Sequence, residues 1–290
     1  MKNIFKNLSI ILLILLIIIK RPLIIAAVLE AINIWFTSVF PALFPFLVLS
    51  DYIVSSSLIN EITNYLGPFF TKAFKVSKYA AYVFIMSLIS GCPSNAKYIK
   101  DLLELRLINT KEASKILAMT LLYNPLLIIT ITSYLKPGDT YLIIILNIII
   151  NLIIGLFNRQ IRCDYQNDYE LVPTKFDLVK SLTKTINTLL MVLASLVFFI
   201  TLSALISYEH PLIIGIFEIT NGLSDINNII SYELKLIFTT ILLSFGGLSI
   251  HTQIKSILAD YKLEYSLFYQ SRIIHLILFL LLIHIRILFF

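Results

Sequence analysis

The chain has 290 residues, 58% of them hydrophobic and only 14% charged, where a soluble domain carries about a quarter charged residues. Its net charge of +6 is spread through short loops without interleaved aromatics; this excludes a nucleic-acid footprint and fits the charge placement of membrane topology. The two cysteines, Cys92 and Cys163, have neither C-x-x-C nor zinc spacing, so no disulfide framework, metal site or cofactor is expected.

In chain order, residues 1–21 read as an N-terminal membrane anchor. Lys2 and Lys6 precede an apolar run, and no small-x-small cleavage site follows before Pro22. Spans are predicted over 8–20, 37–57, 113–135, 140–157, 185–206 and 267–288, several of them reaching or approaching the ~20 residues that cross the hydrocarbon core. Two apolar stretches, 79–106 and 229–262, are interrupted by small and polar residues. "KPGD" at 136–139 is expected as a tight turn between two spans, with Pro137-Gly138 at its centre. The polar stretch from 158 is the one substantial linker. The expected division is 1–21 anchor, 22–157 first half with a connecting span, 158–184 cytoplasmic linker and 185–290 second half.

The halves show weak self-similarity. "EITN" occurs at 61–64 and 218–221, and at an offset of 156 Ser90-Gly91 falls on Gly246-Gly247. If both interrupted stretches dip into the membrane and return, one side collects Lys72, Lys75, Lys78, Lys100, Arg106, Lys111, Lys115, Arg159, Arg162, Lys175, Lys180 and Lys184. The other side holds Glu209, Glu218, Asp225 and Glu233. That asymmetry marks the basic side as cytoplasmic and places both termini there. An odd number of crossings between the halves then inverts one relative to the other, a common transporter plan. The predicted fold is all-α: a polytopic cell-membrane protein with about six spans, two broken or re-entrant helical hairpins and an inverted internal repeat.

Four stretches carry a resemblance: "IWFTSVFPALFPFLVLSDYI" (34–53), "SGCPSNAK" (90–97), "FEITNGL" (217–223) and "SFGGLSIHTQIKSIL" (244–258). Together, and in this order, they resemble the sporulation integral membrane protein family of the YlbJ type. That family is related to the Gate domains of nucleoside and ferrous-iron transporters. The resemblance implies a multi-pass membrane protein of endospore formation, acting in spore cortex or envelope development, with two Gate-like halves and a small-solute path. The sequence departs from the family pattern in places. Cys92 stands where the family usually has Tyr, Asn95 where it has Gly, and Leu121-Leu122 where it often carries two Asn.

The candidate site is built from the breaks. Ser90, Gly91, Pro93, Ser94 and Asn95 form one wall, since irregular backbone at membrane depth is tolerated only where protein or water satisfies it; the alternative is a kink that lets helices pack closely. Gly246, Gly247, Ser249, His251, Thr252 and Gln253 form the second wall, with His251 the costly intramembrane group; the alternative is a histidine satisfied by a neighbouring carbonyl. Thr120, Asn124, Glu218, Thr220 and Asn221 complete the set, with turn and capping roles as the bland readings. Lys97 is expected to snorkel to the interface. No catalytic residue is expected: G-x-S-x-G, H-E-x-x-H and P-loop patterns are absent. Two functions follow, a Gate-type permeation or transport protein and a non-transporting scaffold or regulator of envelope assembly. The partners expected are the lipid bilayer, a small solute, other sporulation membrane proteins and a second copy in a homo-oligomer, with no nucleic acid.

Overall fold

Prolines and glycines set the helix boundaries. In a computed structural model, which describes residues 15–164, 170–206 and 210–289, every regular element among those residues is helical. α1 (Arg21–Ser55) opens with Pro22 in its first turn and contains a π-helical turn at Trp35–Val39. The wide turn precedes Pro41, which has no N–H for the regular ladder. α2 is Leu58–Phe74, α3 Tyr79–Ser90, α4 Ser94–Glu104, α5 Thr110–Met119, α6 Pro125–Ile131 and α7 Pro137–Phe157. α8 (Leu178–Ile206) begins inside the stretch expected as linker. α9 (Pro211–Phe217), α10 (Ile219–Ile226), α11 (Tyr232–Phe245), α12 (Gly247–Ile257) and α13 (Tyr265–Phe289) complete the chain. The predicted span at 8–20 and the anchor lie mostly outside the described residues.

Among the described residues, five segments are long and apolar enough to cross a membrane: α1, Pro137–Gln160, α8, Tyr232–Ile257 and α13. Their outward faces are apolar at four-residue spacing, as with Tyr141, Ile145 and Ile149 on α7 and Ile273, Ile277, Leu281 and Ile285 on α13. Water would make such a stripe costly, whereas lipid solvates it. Side-chain pairs fix antiparallel neighbours. Trp35 donates to the Leu189 carbonyl and Lys20 to that of Leu205, so α1 runs against α8. Asp139 with Arg286, Asn147 with His275 and Asn151 with Arg272 do the same for α7 and α13.

These contacts sort the loops into two ends. At one end Lys78 pairs with Glu170, Lys100 with Asp260 and Lys184 with Glu104, while Lys115 reaches the carbonyls of Lys75 and Ile161. Lys100 at 2.7 Å, through its hydrogen bond, holds the Asp260 carboxyl below the usual range. At the other end Tyr232 and Arg286 meet on Asp139, and Asn221 donates to Glu30. α3 leaves the basic end and α4 returns to it, with Tyr98 reaching back to Ser90 at 2.8 Å. The stretch 79–106 therefore dips and returns, as expected.

The stretch 229–262 does not. α11 starts beside Asp139 at the far end, and the chain after α12 reaches Lys100 at the basic end, so this segment is a broken crossing. The second returning hairpin is α9–α10, with its tip at Glu218. Gly-Gly at 246–247 resembles a hairpin tip in sequence, but its left-handed glycines (φ 89° and 73°) redirect the helix without turning it back. Similarly, the expected span at 113–135 is two short helices broken at 120–124. The "KPGD" turn is displaced: 132–134 form the turn, and Pro137-Gly138 open α7, since Pro lacks an N–H and suits a first helical turn. "EITN" at 61–64 lies within α2.

The α9–α10 hairpin is thin because glycine meets glycine. A Cβ on Gly222 would lie 2.3 Å from the Cα of Gly215. Gly222→Ala is expected to lower stability by about 1–3 kcal/mol through overpacking, read as a lower melting temperature in detergent.

Candidate functional site

Each interrupted helix leaves backbone groups without intrahelical partners, and the interruptions gather in one place. Gly91, at φ 80°, packs its α-carbon against the second break, where a Cβ would sit 2.6 Å from the Asn124 nitrogen. The Cys92 N–H donates to the Leu122 carbonyl at 2.7 Å. Gly246 abuts the Tyr123 hydroxyl, and Gly247 abuts the backbone of Gly215 and Ile219 at the Glu218 tip. Two hairpin tips and two broken crossings thus share one layer of the bundle.

Side chains satisfy what the backbone cannot. The Asn124 carboxamide oxygen accepts from Leu126 N–H at 2.8 Å and caps α6. The Glu218 carboxylate accepts from Asn221 N–H at 2.9 Å and caps α10. His251 Nε2 donates to the Phe245 carbonyl at 2.7 Å, closing the C-terminus of α11.

The breaks surround a cavity of about 80 Å3, room for a few water-sized molecules. Ser90, Gly91, Pro93, Asn124, Glu218, Thr220 and Gln253 line it, joined by Cys92, Tyr123 and, from the π-helical turn of α1, Ser38 and Val39. The remaining sequence candidates lie around it. Asn95 is fully buried and donates to Thr120, which in turn donates to the Ile116 carbonyl. Ser249 accepts from Gln253 at 2.9 Å and meets Ser195. His251 is packed among Phe245, Phe268 and Tyr269, Thr252 is exposed, and Ser94 is buried in the first turn of α4. Asn221 faces outward, into a cleft of about 1050 Å3 that also carries Glu30, Asn33 and Asp225. Ile34 and Thr220 line both the cleft and the cavity.

On the basic side of the cavity lies a buried charge cluster. Lys97, 3% exposed, binds Asp51, Ser50 at 2.7 Å and Asp101 at 2.6 Å. Ser181 donates to Asp51 at 2.6 Å, and Lys184 lies 3.6 Å from Asp101. The cluster ties α1, α4 and α8 together between the cavity and the basic end. Lys97 is therefore buried and paired, not snorkelling: its position one turn into a returning hairpin points it at α1 rather than at the interface.

Sequence reading passed over Asp51, Asp101 and Arg272. The signal was present for Arg272, which stands inside an apolar span where an ionisable residue is costly. Its Nη2 donates at 3.1 Å to both the Ala118 carbonyl and Asn151.

A bundle of apolar-faced helices with interrupted segments meeting at an internal cavity defines a polytopic helical membrane protein. No family model matches the chain, and no solved structure matches it. The sporulation integral membrane protein YlbJ of Bacillus subtilis (strain 168) is 24% identical over 295 aligned positions, covering 84% of this chain and 72% of that one. The chain is similar to that protein over most of its length.

Removing one partner from the charge cluster leaves buried carboxylates uncompensated. Lys97→Met is expected to cost about 3–5 kcal/mol, and adding Asp101→Asn to recover part of it. Thermal unfolding of the three purified proteins checks both.

Proposed function

We propose that the protein is a Gate-type membrane transporter or permeation protein acting in endospore formation, and that the cavity among the helix breaks holds a small solute. The observation that carries this reading is the convergence of three breaks, with Ile250 and Gln253 of the helix that follows the fourth, on one cavity that shares Ile34 and Thr220 with a wide outer cleft. A scaffold has no need of four interrupted helices at one depth, because each interruption exposes polar backbone that a continuous helix would satisfy. The sporulation role rests on the likeness to the Bacillus subtilis protein.

The order of elements supports an inverted repeat. Apart from α2, which has no counterpart among the described residues of the second half, each half runs long span, returning hairpin, broken crossing and unbroken span: α1, α3–α4, α5–α6 and α7, then α8, α9–α10, α11–α12 and α13. One hairpin enters from the basic end and the other from the opposite end. With the basic end cytoplasmic, the C-terminal helix α13 finishes outside, in place of the cytoplasmic C-terminus that the sequence reading assigned. The outer cleft then faces the non-cytoplasmic side, and the Lys97 cluster closes the cytoplasmic side. This is one half of an alternating-access cycle.

Cys92 lines the cavity and is the natural probe. With Cys163→Ser leaving Cys92 as the only thiol, an impermeant thiol reagent is expected to label it in sealed vesicles from the non-cytoplasmic face. Absence of labelling from either face, with full reaction after denaturation, would indicate a dry packed junction and favour the scaffold.

A further inference from the structure

α2 is 17 residues long, yet both its ends lie at the basic end of the bundle. Asn60 and Asn64 near its start meet Leu171 and Glu170, and the carbonyls of Phe74 and Lys75 at its close receive Lys115. A helix of about 25 Å that starts and finishes at one end lies along the membrane surface. Its exposed flank carries Leu58, Tyr65 and Phe69 at helical spacing. The Phe69 ring meets that of Phe74 edge-on at 5.7 Å, and Phe74 covers Gly155 of α7. The next two residues of α7, Leu156 and Phe157, are also exposed. Apolar surface from two helices thus reaches the basic end and finishes at Arg159.

At that boundary the fold makes a recess of about 400 Å3. Lys75, just past α2, lines it with Arg159 and Arg162, just past α7, against a single carboxylate, Asp164. All three cations are exposed, and among the described residues none of them forms an ion pair. Lys78, Lys100 and Lys184 at the same end each have an acid. Behind the recess Lys115, 2% exposed, adds a fourth positive charge. Its ammonium donates to the carbonyls of Phe74, Lys75 and Ile161 at 2.9–3.2 Å, which ties the 159–164 segment to the close of α2 and holds the recess in shape. We propose that this recess binds the headgroup phosphate of an anionic phospholipid in the leaflet at the basic end, with the acyl chains against Phe157 and Phe69. A phospholipid carries its charge where its chains finish, and basic pockets between helices at that level take such headgroups. Arg guanidinium groups suit phosphate oxygens through paired hydrogen bonds. A soluble anion would use the cations but has no use for the apolar flank. Neither the cavity nor the outer cleft takes part, so the site holds whichever function the bundle serves.

The test titrates the full chain, purified in a neutral detergent, with dioleoyl phosphatidylglycerol. Dioleoyl phosphatidylcholine is the uncharged-lipid control and sodium phosphate the free anion. Bound lipid is counted by native mass spectrometry, and the melting temperature is followed in parallel. Phosphatidylglycerol is expected to stay bound and raise the melting temperature, and phosphatidylcholine and phosphate at the same concentration to do neither. Arg159→Gln with Arg162→Gln is expected to weaken phosphatidylglycerol binding about tenfold or more. The same charge removed at the same end but outside the recess, by Lys175→Gln with Lys180→Gln, is expected to change it less than about twofold. Arg159→Lys with Arg162→Lys keeps the charge and retains most of the binding, which separates the site from any loss of folding in the Gln pair. Equal weakening by the two Gln pairs would mean diffuse attraction to a basic surface and overturn the site. Equal retention of the two lipids by the parent would overturn it as well. A phosphate effect matching that of phosphatidylglycerol would make the recess a soluble-anion site and sink the lipid assignment.

Discussion

Everything in this molecule depends on one constraint: a backbone amide or carbonyl set free inside hydrocarbon must find a partner within the protein. Four interrupted helices in one layer would each be prohibitive alone. Placed together, they satisfy one another and their own ends, as when Cys92 N–H finds the Leu122 carbonyl and His251 takes the carbonyl of Phe245. The small residues are there for contact as much as for conformation. Gly91 and Gly247 let one break approach the backbone of another at distances no side chain would permit.

The charged cluster follows from the same layout. Lys97 sits one turn beyond the first tip, so the returning hairpin carries its ammonium against the end of α1, where Asp51 and Ser50 are waiting. Lys184 reaches the cluster from α8, tying the two halves of the chain at this point. Replacing these groups with apolar ones of similar size would lose little of the fold's stability in principle.

Much of the fold was legible because lipid imposes a strong signature. Long uncharged runs announced α7, α8, α13 and the second half of α1, whose first half from Arg21 was not foreseen, and Ser90 to Asn95 announced the first tip. The second tip was not legible, because its turn is made by a carboxylate capping a helix within "IIGIFEITNG" rather than by glycine or proline. Gly246-Gly247 drew attention in its place, and the offset that aligned it with Ser90-Gly91 paired a crossing with a hairpin. At the site, the lining role of Ser90, Gly91, Pro93, Asn124, Glu218, Thr220 and Gln253 follows from their place at the breaks. Tyr123 and Arg272 come from tertiary packing: one lies between an expected span and its break, the other on a helix that is itself unbroken.

The π-helical turn of α1 gears the two ends of that helix to one another. It holds one residue more than an α-turn, so the face presented by Arg21–Ile34 is out of phase with that of the helix after Val39. Glu30 and Asn33 can therefore face the outer cleft while Asp51 faces Lys97. If the turn relaxed into ordinary α-helix, the lower half of α1 would rotate by about a hundred degrees against the upper. Ser38 and Val39 would swing from the cavity in the same movement that carried Asp51 from its lysine. A local change of helix type on one span would thus move the cavity wall and the Asp51–Lys97 pair together.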